Sequence, residues 1–226
     1  MLTAIIVAAG NSRRMGFDKL FARIAGKVVI AHTIDAFERT DSVAEIILVA
    51  RKERRSEFEE LAGQMTKVRR VILGGEHRQD SVRAGLEGLA PAVKYIAVHD
   101  GARPLITPAQ IDRVFEQARV HGAAALAEPV SDTLKRADSD LSVMESLDRN
   151  RVYAMQTPQI FERNLLEEAY RRVGEEGKFV TDEVSAIEHS GGKIVLVTSE
   201  DFNFKITYDR DLRLAESVLQ ERQRAA

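Results

Sequence analysis

Ala4-Ile5-Ile6-Val7-Ala8-Ala9-Gly10-Asn11-Ser12-Arg13-Arg14-Met15-Gly16-Phe17-Asp18-Lys19 decides how the chain is read. An apolar run of strand length, 2–8, passes without a break into small residues and then into three cations. At the carboxyl end of the first strand of an α/β sheet, small residues let backbone N–H groups approach a ligand closely, and such folds bind nucleotides there. The spacing matches neither G-x-G-x-x-G nor G-x-x-x-x-G-K-[ST], so the dinucleotide fingerprint and the P-loop both fail. Arg13, Arg14 and Lys19 stand in their place with charge enough for a triphosphate, Arg as a bidentate fork and Lys as a mobile point charge. A basic pair is otherwise a plain solvated turn. Its position directly after a small-residue strand end favours phosphate.

Outward from this stretch, short β-rich runs at 45–50, 69–73, 95–99, 123–128 and 193–198 alternate with helical periods. That alternation predicts a mostly parallel sheet flanked by helices. Ile30, Ile34 and Phe37, and again Val82, Leu86 and Leu89, recur at i, i+4, i+7, which puts each trio on one buried face. Thr107-Pro108 reads as an N-cap with proline at the first helical position, and His121-Gly122 as the stop. A last helix is expected over about 209–220, with a frayed, solvated tail at 221–224. The stretch 131–150 breaks the rhythm: it is polar, lacks a helical period and is too long for an ordinary connection, so it reads as an interaction element or a mobile surface loop.

The 226 residues form one expected domain, 1–226, with no repeat or linker to divide it. With 44% hydrophobic and 30% charged residues the composition is globular, which excludes disorder as the main state. A net charge of -2 provides no global field toward nucleic acid or anionic lipid, so neither is an expected partner and any anion site is local. The apolar runs fall far short of a membrane span. Absence of cysteine removes disulfides, thiolate nucleophiles and Cys-ligated metal, and fits a reducing, cytoplasmic address.

Two more strand-end loops carry chemistry. Gly74-Gly75-Glu76-His77-Arg78-Gln79-Asp80-Ser81 opens the Val82 helix on the same expected sheet edge, with Glu76, Arg78 and Ser81 as donors and acceptors for a base or ribose; alone it is equally an ordinary Gly-Gly turn. In Val98-His99-Asp100-Gly101-Ala102-Arg103-Pro104, Asp100 sits where an α/β transferase holds a magnesium-nucleotide complex, since Mg²⁺ takes one or two carboxylates plus phosphates and water. The other reading of Asp100 is a local salt bridge to its neighbouring Arg. A lone His99 on a strand is a core residue more often than a general base. Later segments are weaker: Thr181-Asp182-Glu183 reads as a helix cap, and Lys205 as a snorkelling lysine in an apolar strand.

Taken together, the segments resemble the 2-C-methyl-D-erythritol 4-phosphate cytidylyltransferase family over nearly the whole chain. A-A-G-N-S-R-R-M-G-F-D-K, G-G-E-H-R-Q-D-S-V, V-H-D-G-A-R-P, V-S-D-T-L-K-R, D-R-N, Q-T-P-Q, V-T-D-E and F-K-I-T occur in that family's order and at about its spacing. Molybdenum-cofactor nucleotidyltransferases share a loop like the first block; H-D-G-A-R-P with the later blocks is far more specific. The departures are small: Ser12 and Gly101 stand where Gly and Ala are common, Asp18 where some relatives have Pro, and Glu76 where a relative carries Asp.

The resemblance implies a single Rossmann-like nucleotidyltransferase domain that moves CMP from CTP to methylerythritol phosphate, with Mg²⁺, and releases pyrophosphate. It implies that Arg14 and Lys19 hold the triphosphate and stabilise charge at the α-phosphate. Ala8, Ala9 and Gly10 would line the nucleotide, and Gly75, Glu76, Arg78, Ser81 and Gly101 would surround ribose and cytosine. Asp100, Arg103, Thr133, Arg149, Thr181 and Lys205 would bind and orient the polyol phosphate. In that family the stretch matching 131–150 is an arm that embraces a second subunit, so the resemblance implies a homodimer in which Thr133 and Arg149 serve the partner's site. Two other readings stand beside it: ribitol 5-phosphate cytidylyltransferase, with the same fold and a longer polyol phosphate, and a non-catalytic nucleotide-binding regulator, which the pair Arg14 and Lys19 disfavours.

Overall fold

The computed structural model describes residues 1–10 and 16–225. Along the chain run β1 (Leu2–Ala8), β2 (Arg23–Ile24), β3 (Lys27–Val28), α1 (Val29–Glu38), β4 (Val43–Ala50), α2 (Arg55–Gly63), β5 (Val68–Leu73) and α3 (Arg78–Glu87). The order continues with β6 (Tyr95–Asp100), α4 (Pro108–His121), β7 (Ala123–Pro129), β8 (Leu134–Ala137), β9 (Val143–Leu147) and β10 (Tyr153–Glu162). Last come α5 (Arg163–Glu175), α6 (Glu183–His189), β11 (Val195–Thr198) and α7 (Asp209–Ala225).

Among the described residues seven strands form the main sheet in the order β11-β7-β10-β6-β1-β4-β5. All run parallel except β10, which is antiparallel to both neighbours. The chain leaves β1 toward β4 and β5 on one side and reaches β6 on the other. The strand order therefore reverses between β1 and β6, where Val7 pairs with Asp100, and the carboxyl ends of the two strands open a crevice.

Alternation along the strands splits the core into two layers. Ala4, Ile6 and Ala8 of β1 and Ile46, Leu48 and Ala50 of β4 face α1, α2, α4 and α7, while Ile5, Ile47 and Val49 face α3, α5 and α6. Both faces of the sheet are covered, which is why the central strands read as unbroken apolar runs. Ile30, Ile34 and Phe37, and Val82, Leu86 and Leu89, are buried as their spacing predicts. Burying a side chain of this size contributes about 1.5–3 kcal/mol over leaving it exposed. Thr107 caps α4 by accepting the Gln110 N–H at 3.3 Å, and Gly122 ends it at φ +82°, a conformation that disfavours a side chain.

The structure corrects three expectations and adds a strand. The 131–150 stretch is a β-hairpin of β8 and β9, exposed on both faces; with no core side to mark, its residues carry no apolar alternation. Residues 202–206 form no strand; Ile206 donates its N–H to the Ala102 carbonyl at 2.8 Å. Helix α7 extends to Ala225 without a frayed tail, helped by Arg222, which donates to the Leu105 carbonyl at 2.7 Å. Strand β10 stands outside the strands expected from the sequence: the polar Gln156-Thr157-Pro158-Gln159 interrupts it, and its ladder to β7 slips register between Met155 and Gln159. Among the described residues no helix is long and apolar enough to cross a membrane.

Candidate active site

At the crevice between β1 and β6 lies a cavity of about 390 Å³. Its wall is Ala8 at the end of β1 with Ala9 and Gly10 just after it, then Gly75 and Glu76 from the turn after β5, and Arg78 and Ser81 from α3. Asp100 and Gly101 come from the end of β6, and Lys19, Lys205 and Thr207 close it. Gly75 permits this packing: a Cβ there would stand 2.3 Å from the Cβ of Asp80. Asp18 steadies the Lys19 turn by accepting from the Leu20 N–H at 3.2 Å and pairing with Arg51 and with Arg54. Lys19 itself donates to the Ile206 carbonyl at 2.7 Å.

Asp100 is the electrostatic centre. Its Oδ1 accepts from Arg78 Nε at 3.1 Å, and its Oδ2 from Lys205 Nζ at 3.0 Å and Arg103 Nε at 3.4 Å. Burial alone would raise this carboxyl, but Arg78, Lys205 and Arg103 outweigh it and hold it well below the usual range. Arg103 is buried and donates to the carbonyls of Asn203 at 2.9 Å and Met155 at 3.4 Å, which ties down the segment carrying Lys205. Arg78 also forks onto Glu183, Nη1 to Oε1 at 2.7 Å and Nη2 to Oε2 at 2.9 Å. The cluster joins three cations to two carboxylates, and the surplus positive charge suits an anion in the cavity.

His99 is a core residue. Thr157 Oγ1 accepts the Asp100 N–H at 3.0 Å, so its hydroxyl proton points to His99 Nδ1 at 3.1 Å, and Nε2–H faces the Arg103 carbonyl at 3.4 Å. Burial pushes the ring down to about 3. The fold therefore favours neutral His99: its contribution is complete above the ordinary 6.5 and is lost as pH falls from 6.5 toward 3. At pH 5.5 protonation costs about 1.4 kcal/mol, or roughly 3–6 °C in Tm for a chain of this size. Melting curves from pH 7.5 to 5.5 are expected to fall by that much more in wild type than in His99→Asn; parallel curves would refute it.

These features match a known group of proteins. The family model for 2-C-methyl-D-erythritol 4-phosphate cytidylyltransferase matches residues 2–221. The chain belongs to that family. It is 38% identical to the 2-C-methyl-D-erythritol 4-phosphate cytidylyltransferase of Halalkalibacterium halodurans, covering 98% of each chain. It is also similar to the crystal structure of 4-diphosphocytidyl-2C-methyl-D-erythritol synthase from Anaerococcus prevotii, with a TM-score of 0.87 at 30% identity over 97% of this chain and 96% of that one. The enzyme from Thermus thermophilus superposes with a TM-score of 0.81 at 28% identity over 96% of this chain and 98% of that one. The chain is thus a nucleotidyltransferase, a cytidylyltransferase of isoprenoid biosynthesis that uses CTP and methylerythritol phosphate.

For this cytidylyltransferase, the structure gathers Ala8, Ala9, Gly10, Lys19, Gly75, Glu76, Arg78, Ser81, Asp100, Gly101 and Lys205 around one cavity. Arg14 lies outside the described residues. Arg103 stands behind Asp100 rather than on the wall. Thr181 is exposed and meets Ser185 Oγ at 3.5 Å; Thr133 is exposed at the foot of the β8–β9 hairpin, and Arg149 donates to the Ser131 carbonyl; none of the three lines the cavity. Helix capping falls to Asp182, which accepts the Ser185 N–H at 3.0 Å. The reading of Thr181-Asp182-Glu183 as a cap missed Glu183, whose partner Arg78 is 105 residues away.

A carboxylate offers about four lone-pair directions, and three cations already address Asp100. Among the described residues no group of three His, Cys, Asp or Glu side chains is placed to hold a metal. This donor set fits a divalent cation carried mainly by phosphate oxygens and water, with at most one carboxylate contact.

Proposed function

We propose that CTP lies across the crevice with its triphosphate between the Ala8 to Gly10 strand end, Arg14 and Lys19, and that the acceptor phosphate enters on the Lys205 side. The observation that carries this reading is the meeting of Lys19, Arg78 and Lys205 around one cavity floored by small residues at the strand-order switch. An oxygen of the acceptor phosphate attacks the α-phosphorus in line, a new P–O bond forms, and the bond to pyrophosphate breaks. No side chain needs to form a covalent intermediate, so rate enhancement comes from alignment and fixed charge.

Mg²⁺ belongs to the proposal as a counter-charge to the phosphates of CTP, and Asp100 would be its carboxylate contact. The exposed β8–β9 hairpin is assigned as an arm that pairs two copies of the chain and carries Thr133 and Arg149 to the partner's cavity. Thr181, on the loop before α6, and Arg103, through Asp100, are assigned to orienting the acceptor. A cytoplasmic address is part of the same reading, supported by the absence of cysteine. Pyrophosphate release in the presence of methylerythritol phosphate and Mg²⁺ tests the reading: CTP is expected to outrun UTP, ATP and GTP, and equal turnover of all four would refute the assignment of Gly75 to Ser81 to the base.

A further inference from the structure

Glu183 is fully buried, a costly place for a carboxylate unless every oxygen is answered. Here both are. Oε1 accepts from Arg78 Nη1 at 2.7 Å and from the Tyr170 hydroxyl at 2.9 Å, and Oε2 accepts from Arg78 Nη2 at 2.9 Å. The backbone beneath is fixed as well. Gln159 of β10 accepts the N–H groups of Glu183 at 3.2 Å and Val184 at 3.1 Å, and its own amide donates to Asp182 at 2.9 Å.

A guanidinium has five N–H groups, and three of those on Arg78 are taken, two by Glu183 and Nε by Asp100. The remaining two belong to a side chain that lines the cavity. Two carboxylates compete for this one fork. Because Glu183 takes its flat, bidentate face, Asp100 receives a single bond from Arg78 and keeps Oδ2 for Lys205 and Arg103. Without the Glu183 charge, the best bidentate partner within reach of Arg78 is Asp100 itself, and turning toward it would pull Asp100 from Lys205.

We propose that Glu183 is a positioning residue for cytidylyl transfer: anchored by Tyr170, it sets the orientation of Arg78 and, through it, the division of Asp100 between the nucleotide side and the acceptor side of the cavity. The inference rests on the activity proposed above for one of its readouts and on CTP binding alone for the other.

A double-mutant cycle separates this role from a merely structural one. Wild type, Glu183→Gln, Tyr170→Phe, Arg78→Met and the two double variants with Arg78→Met are compared in kcat and KM and titrated with CTP by calorimetry, after melting curves establish that each is folded. Glu183→Gln is expected to lower kcat/KM by about 10²-fold, the scale of a charged group misplaced by an ångström, and Tyr170→Phe by about tenfold, with CTP binding weakened in the same order. In the Arg78→Met background neither change is expected to have further effect. If Glu183→Gln alone does not fold, the double variant, which leaves no unpaired arginine, and the isosteric Tyr170→Phe carry the test. Equal losses in both backgrounds, or wild-type binding and turnover in Glu183→Gln and Tyr170→Phe, would overturn the inference. Absence of turnover in wild type would contradict the activity instead, and the CTP titrations would still decide the role of Glu183.

Discussion

Lys19→Ala is expected to lower kcat by about 10²-fold or more, with a smaller change in KM. The leaving pyrophosphate and the crowded α-phosphorus gain negative charge as the reaction proceeds, and a cation fixed in a partly desolvated cavity interacts more strongly with that state than with bound CTP. Lys19 has the required placement. It is on the cavity wall, its ammonium is directed by the Ile206 carbonyl at 2.7 Å, and its turn is held by the ion pairs of Asp18 with Arg51 and Arg54. Arg14→Ala is expected to behave alike, as the second cation of the same sequence block. Steady-state kinetics with CTP varied decides the matter: a rise in KM with kcat unchanged would mean that the two residues bind and do not stabilise the transition state.

Mixing two nearly inactive variants, Arg149→Ala and Lys19→Ala, is expected to restore activity. The hairpin holding Arg149 is exposed on both faces, and Leu141, Val143 and Met144 at its tip are 85%, 65% and 66% exposed. Side chains of that kind on a projecting ribbon need a covering surface. Within its own chain Arg149 reaches the Ser131 carbonyl and does not line the cavity. If two copies exchange hairpins about a twofold axis, a mixed dimer has one site with both defects and one site with neither. Random exchange of equal amounts then gives roughly a quarter of wild-type sites. Parents that remain inactive after verified subunit exchange would show that Arg149 acts within its own chain.

The sequence announced the parts of this molecule whose physics is local. β1 shows as an apolar run because both of its faces are covered, and α4 shows because Thr107, Pro108 and Gly122 mark its ends. Three strand-end loops stand on one sheet edge because parallel strands bring their carboxyl ends together, so most of the cavity wall is legible in the sequence. What stayed hidden depends on partners far along the chain. Glu183 looks like a first-turn helix acid until Arg78 meets it across 105 positions. Strand β10 is masked by a polar Thr-Pro step that is buried only because His99, Asp100 and Asn203 hydrogen-bond to it. The hairpin shows no apolar alternation because within one chain it has no core to face.

Pyrophosphate release from CTP, followed with methylerythritol phosphate and ribitol 5-phosphate side by side in Mg²⁺ buffer, tests the central claim most directly. The account predicts rapid, stoichiometric release with methylerythritol phosphate and a kcat/KM at least tenfold lower with the longer, unbranched ribitol phosphate, whose hydroxyls fall out of register with groups placed for the shorter polyol. No release with either acceptor, or faster release with ribitol phosphate, would contradict it.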